Sequence, residues 1–248
     1  MIQIGKFTFV PKAGFTILML ALVALGISLG NWQLERRAGK LAIQKLRGDN
    51  SRQKPVSLKV SDTKKDLVLY RNVEVEGYFV LDKQLLLENQ MQAGVLGYHV
   101  FTPLRIKDSD SFVLVNRGWV AQGNDRRVLP KLAGPVTSVI IQGRVENVPG
   151  IGIKLGEPGA AGKQWPKRVI YIELPWLEKQ MGLKLFPYVV YQTMGKDYGL
   201  IRDWKVKFAS KQRMTPEKHM GYAVQWFSLA ALAVIMYLVL SFRKTGKT

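Results

Sequence analysis

Two uncharged apolar runs, one near each end, limit what this chain can become. Ala13 to Leu34 carries no charged side chain, and Ala13 to Leu29 is almost wholly apolar or small. Met220 to Phe242 stays uncharged for 23 residues. About 20 such residues, rising 1.5 Å each, cross a hydrocarbon core. Lipid offers backbone groups no hydrogen bonds, so an isolated span must be helical. Both runs therefore read as transmembrane helices.

The first run also fits a cleaved signal peptide, with Lys6 and Lys12 ahead of it and small Ser28 and Gly30 near its end. Its length favours a retained span, as do Trp32, Arg36 and Arg37, which look like interfacial anchors. The dozen residues before it are not rich in Ser and Arg, which leaves no room for a transit peptide and points to a bacterial source. The expected organisation is a tail at 1–12, a helix at 13–32, an extramembrane domain at 33–218, a helix at 219–242 and a tail at 243–248.

Gln33 to His219 is 187 residues, enough for one core. It holds all 18 acidic residues and 32 of the 37 basic ones, a net charge of +14. Such a charge suits nucleic acid, anionic headgroups or an acidic protein surface. With no cysteine, thiolate metal sites and thiol nucleophiles are excluded. Close to the spans the loop side carries eleven basic residues against five on the tails, which would place the domain in the cytoplasm. A loop of this length translocates largely regardless of charge, so the count does not fix the side.

The domain reads as β. "YRNVEVEGYFV" alternates Val73, Val75, Gly77 and Phe79 with Asn72, Glu74, Glu76 and Tyr78, the period of a half-buried strand. Further strands are expected at "QLLLEN", "GYHVFTPLRI", "SFVLVNRGWVA", "TSVIIQGRVENV", "RVIYIEL" and "LFPYVVYQTM". Turns are expected at "KDSDS" (107–111) and "GNDR" (123–126), and loops at "LAGP" and 149–166. Pro175 can open a short helix, "PWLEKQM", that Gly182 closes. The expected fold is a membrane α-hairpin of two transmembrane helices flanking an antiparallel, barrel-like α+β domain.

Catalytic motifs fail on spacing. "GIGIKLG" places its last glycine one position late for a dinucleotide fingerprint, and "GEPGAAGKQ" lacks P-loop spacing. No HExxH or GxSxG occurs. The two histidines, 120 positions apart, cannot make a His-rich metal cluster. No catalytic residue is nominated, and the chain is not expected to be an enzyme.

The membrane edges carry what chemistry remains. Trp32, Arg36 and Lys40 are four apart and share a stripe if the helix continues, with Gln33 and Arg37 on the next. Such a stripe serves as an interfacial anchor, or as a cationic clamp for a carboxylate ligand. Gly26 and Gly30 have the GxxxG spacing that lets a second helix approach. Thr215 and Pro216 signal the start of the second helix. His219, Tyr222, Ala223 and Trp226 then fall on one face. A neutral imidazole there is either an interfacial histidine beside an aromatic belt or an axial ligand for haem iron. His99 lies in a strand-like run, where a structural role is expected.

"LGNWQLERRAGK", "YRNVEVEGYF", "GYHVFTP", "LVNRGWV" and "HMGYAVQWFSLA", in that order, resemble the Surfeit locus protein 1 family over nearly the whole chain. The resemblance implies an assembly factor, a chaperone of haem–copper terminal oxidases in the respiratory chain. It would sit in the bacterial inner membrane with its β domain in the periplasm and both tails in the cytoplasm. Implied partners are the oxidase catalytic subunit, other assembly factors and membrane lipid, with haem a as cargo. Residue by residue, His219 matches the proposed haem contact, and so would serve as metal ligand through the haem iron. Trp32, Gln33, Arg36 and Arg37 match the first-span motif, and Asn116, Arg117, Gly118 and Trp119 match the central one. Tyr222 and Trp226 would flank the macrocycle, and Arg36 or Arg37 would meet its propionates. Two alternatives stand beside this: a cofactor-free scaffold in oxidase assembly, and a membrane-tethered nucleic-acid binder, which lacks any recognisable motif.

Overall fold

The computed structural model describes residues 2–4, 7–59, 68–150, 156–159, 164–204 and 214–244. The chain forms two compact units, residues 1–45 with 212–248, and residues 46–211.

The first unit is built on two helices, α1 (Ala13–Arg52) and, at the far end of the chain, Pro216–Ser241. Both are long and apolar enough to cross a membrane, and only 11% of each apolar window is buried, so these side chains are available to lipid. The apolar run ends at Leu34, but α1 continues to Arg52. Arg, Lys, Ala, Gln and Leu dominate the extension and all favour helix, and Pro55 follows its end. The ends of the chain add strands that sequence periodicity did not reveal. β1 (Ile2–Ile4) and β2 (Phe7–Phe9) form an antiparallel sheet with Phe242–Lys244.

The second unit begins with the last turns of α1. There Arg47 reaches Glu146 at 3.2 Å and lies 4.6 Å over the Tyr70 ring, and Asn50 donates to Leu69 O. The strands follow: β3 (Val56–Ser57), β4 (Asn72–Phe79), β5 (Leu85–Gln92), β6 (Val95–Ile106), β7 (Phe112–Ala121), β8 (Val139–Glu146) and β9 (Lys167–Val169). α2 (Leu174–Met181) and β10 (Leu185–Gln192) complete the unit. The membrane helix at Pro216–Ser241 is then α3, and Phe242–Lys244 is β11.

The strand order is β3-β4-β8-β10-β7-β6-β5-β9, and an added β4–β6 pairing closes β4, β8, β10, β7 and β6 into a five-stranded barrel. β6 makes closure possible. It pairs with β5 along its first half and with β4 at Leu104–Ile106, and runs antiparallel to β7 almost throughout. The expected barrel is present, but β10 joins β7 in parallel. That pairing needs a long crossover, which residues 122–184 supply. "RVIYIEL" yields only the three-residue β9, because Leu174 and Pro175 already open α2. Gly182 closes α2 with a φ of 66°, as expected.

β7 shows how the core is divided. Val113 and Val115 point into the barrel with Val73, Val75, Leu104 and Tyr188, while Leu114 faces α2 with Leu177 and Val189. A strand covered on both sides needs an unbroken apolar run, which "FVLV" provides.

Candidate functional site

The contacts between α1 and α3 run in opposite chain directions. Thr16 meets Tyr237, Gly26 meets Ala230, Gly30 meets Phe227 and Gln33 meets His219. The two helices are therefore antiparallel. A Cβ at Gly26 would lie 2.9 Å from the Ala230 Cβ, and one at Gly30 would lie 2.5 Å from the Phe227 ring. The GxxxG spacing does permit close approach here, as packing without a hydrophobic drive requires.

One turn beyond Gly30 the interface becomes polar. Gln33 and His219 are buried, and Nδ1 of His219 lies 2.7 Å from Oε1 of Gln33. With that oxygen as acceptor, Nδ1 is the donor, and the Nε2 lone pair of a neutral ring is left over. Among the described residues nothing else hydrogen-bonds the ring. A histidine that ligates a metal has this arrangement, one ring nitrogen held by an outer partner and the other free to bind. One further turn along α1, Arg37 is half-buried, and its Nε is sealed from solvent without a hydrogen-bond partner among the described residues. A buried guanidinium nitrogen left unpaired is costly, and an anionic group would satisfy it.

The other nominated residues separate. Arg36 stacks 5.5 Å over the Trp32 ring, and both are exposed, so the expected stripe forms on the outer side of α1. Ala223 turns inward with His219, Tyr222 is exposed, and Trp226 is half-buried. Below the Gly26 crossing the helices diverge around an apolar groove of about 420 Å³, with Trp226 at its upper rim. The Thr16–Tyr237 hydrogen bond, 2.9 Å long, ties the helices at its far end. Composition could not reveal the groove, because its lining looks like any apolar span.

The central motif belongs to the β unit and is spent on structure. Val100 pairs with Gly118 and Phe101 with Asn116, so Arg117 is the extra residue of a β-bulge. The bulge turns a fully buried guanidinium inward. Arg117 Nη1 donates to Gln84 Oε1 at 3.1 Å and Nη2 to Ala133 O at 2.6 Å, with the Phe79 and Tyr198 rings 5.2 and 5.6 Å away. Burial, and then the neighbouring Arg202, push its pKa down to about 10. Gly118 adopts a φ of 148° and has no room for a Cβ beside Leu200. Trp119 Nε1 donates to Gln90 O, and Arg202 Nε donates to Arg117 O. His99 is buried and stacks on Trp204, as a structural histidine does. Among the described residues, no cluster of three His, Cys, Asp or Glu side chains could hold a metal ion.

A sequence model of the SURF1 family matches residues 20–231. A SURF1-like protein of Drosophila melanogaster is 26% identical over 248 residues, covering 92% of this chain and 77% of its own. A SURF1-like protein of Rickettsia bellii is 24% identical over 237 residues, covering 92% of this chain and 90% of its own. The cytochrome oxidase assembly protein SHY1 of Saccharomyces cerevisiae is 29% identical over 108 residues, covering 42% of this chain and 28% of its own.

Proposed function

The chain belongs to the SURF1 family, and from that premise we propose that it is an assembly factor for cytochrome oxidase, not a catalyst, and that His219 contacts haem a bound for the oxidase catalytic subunit. The yeast relative's name supports the assembly role. The observation that carries the haem contact is the Gln33–His219 pair. Two motif residues 186 positions apart meet in a buried hydrogen bond that orients the imidazole and would leave Nε2 of a neutral ring available to a ligand. One turn further along α1, Arg37 acts on the Glu217 carboxylate and keeps an Nε without a hydrogen-bond partner among the described residues, which an anionic substituent such as a propionate would fit. Bound there, haem would supply an iron that the His219 imidazole would ligate. The chain's part is to orient that imidazole through Gln33 and to exclude water through the Gly30–Phe227 contact. A carrier must release its cargo, and a single ligand releases more readily than a bis-histidine pair.

A second reading, that of a cofactor-free scaffold, has the same hydrogen bond in its favour, because a buried polar pair can simply join two membrane helices. The two separate in cells that lack the native protein. If haem is handled at this site, His219→Ala restores the protein to the membrane but leaves the oxidase deficient in haem a. Full haem a in the oxidase with His219→Ala would favour the scaffold. Changing Arg36 and Arg37 together to Gln should likewise lower oxidase haem a without lowering the protein's own abundance. Loss of the protein would make them membrane anchors instead.

The β domain is assigned to the periplasm, with both tails in the cytoplasm and the spans in the bacterial inner membrane. The family premise supports this side, and the length of the loop removes the weight of its charge. Val136 is 89% exposed in the β unit and suits a reporter cysteine. Val136→Cys should react with an impermeant maleimide in intact spheroplasts, and labelling only after lysis would invert the topology.

A further inference from the structure

The two ends of the chain meet at the end of the helix pair remote from His219. There the backbone N–H of Val10 donates to the Ser241 carbonyl at 2.8 Å, just before α1 begins and where α3 stops. Outward from that bond the tails pair as strands, with Phe9 opposite Phe242 and Thr8 opposite Arg243. β1 adds a third strand on the other side of β2. So small a sheet needs one face packed to be stable. Phe9 supplies that packing, with its ring 6.2 Å from the Tyr237 ring of α3 and 5.2 Å from the Phe242 ring. Residues opposite one another share a face and neighbours alternate, so Thr8 and Arg243 stand on the other face.

This end of the pair is uniformly cationic. Residues 1–34 and 218–248 contain no Asp or Glu, and the tails carry Lys6, Lys12, Arg243, Lys244 and Lys247. Lys12 and Arg243 are exposed, and each lies two positions from the Val10–Ser241 bond. Aromatic rings sit among these cations. Phe7 is half exposed, and Lys12 Nζ lies 5.9 Å over the exposed Phe15 ring. Loose basic tails would be enough to bias the orientation of two spans. Here the backbone instead builds the cations and rings into a sheet joined to both helices.

We infer that this terminal sheet is a docking surface for the headgroups of anionic phospholipids, which Lys12 and Arg243 engage while the phenylalanine rings sit at the acyl boundary. Rings favour that boundary, and cations near it are drawn to anionic headgroups. The surface is continuous with the lipid-available sides of the two spans, so the acyl chains of the same lipid have apolar side chains to lie against. An acidic protein surface would match the charge but gives no reason for exposed rings where the spans end. Because the sheet joins the first tail to the last, a lipid bound there also holds the ends of the two helices together.

The test is native mass spectrometry of the full chain in neutral detergent, titrated with phosphatidylglycerol and with phosphatidylcholine of the same acyl chains. The parent should retain phosphatidylglycerol in preference. Lys12→Gln and Arg243→Gln alter exposed side chains, and each should lower the phosphatidylglycerol affinity about fivefold while leaving phosphatidylcholine unchanged. Phe9→Ser keeps every charge but removes the packing of the sheet, and it should lower the preference as well. No headgroup preference in the parent, or one untouched by both glutamine variants, overturns the proposal. A preference that survives Phe9→Ser belongs to loose charges and overturns the sheet as the docking surface. Retention of polyglutamate more tightly than phosphatidylglycerol makes the partner an acidic protein segment and overturns the lipid assignment.

Discussion

The barrel and the membrane pair each bury polar groups, and the contacts those groups make differ in kind. In the barrel, Arg117 sits on a bulge with both terminal nitrogens engaged, one by a side-chain amide and one by a backbone carbonyl. In the membrane pair, His219 is fixed through one nitrogen, and Arg37 keeps an Nε with no partner among the described residues. Burial with full hydrogen bonding marks a group that holds the fold together. Bonding capacity left over does not by itself mark a ligand site, because Arg71 Nε, Tyr98 Oη and Gln192 Oε1 in the β unit are likewise buried without a hydrogen-bond partner among the described residues. The two conspicuous motifs therefore sit in different settings, "NRGW" in the wall of the barrel and "WQLERR" along α1.

The largest expected effect separates the two regions most sharply. Arg117→Ala strands Gln84 and the Ala133 carbonyl and opens a cavity, costing about 3 kcal/mol. That corresponds to about 10 °C in the melting of a domain this size. Haem bound per folded molecule should not change. If thermal scans show little loss but haem binding falls, Arg117 is a site residue and the contrast breaks.

Gly30→Leu comes next. The new side chain meets the Phe227 ring, and overpacking of about 2 kcal/mol should part the helices. Disulfide trapping between cysteines at Gly26 and Ala230 should drop sharply, while melting of the β unit stays at the parental temperature. Unchanged trapping would mean that the helices are not held by this contact.

His219→Ala follows, with a stability cost of only about 1 kcal/mol for one interhelical hydrogen bond. Its effect on haem should far exceed its effect on folding, the reverse of Arg117→Ala. A collapse in folded yield would reassign His219 to structure.

Much of this was legible in the sequence. The spans, the alternation of Val73 and Val75, the Thr215 cap, the α2 helix and the GxxxG approach all rest on local spacing, and each appears in the structure. The parallel β7–β10 closure was not legible, because strand order depends on pairings between residues far apart in the chain. Nor was the Gln33–His219 bond, whose partners lie at opposite ends of the sequence. The Arg117 bulge was hidden for a different reason. A single extra residue leaves no mark on periodicity, and only the register across β6 exposes it.

The smallest expected effect is at the surface. Lys107 has its pKa raised by its hydrogen bond to Glu76 and by the charge of that carboxylate, and the pair is exposed. A raised folded pKa stabilises below the unfolded value of 10.5 and is lost above it. Glu76→Gln should therefore melt within error of the parent at pH 7, and any gap should close as the pH rises past the folded pKa of Lys107, above 10.5. A large gap at neutral pH would make this surface pair matter more than its solvent exposure allows.

The most direct measurement is the Soret absorbance per protein, purified from cells that make haem a, for the parent and for His219→Ala. The account predicts a Soret band in the parent and its loss in the variant, with both proteins recovered in equal amount. Equal haem in the two would remove His219 as the ligand, and no haem in the parent would leave only an assembly scaffold.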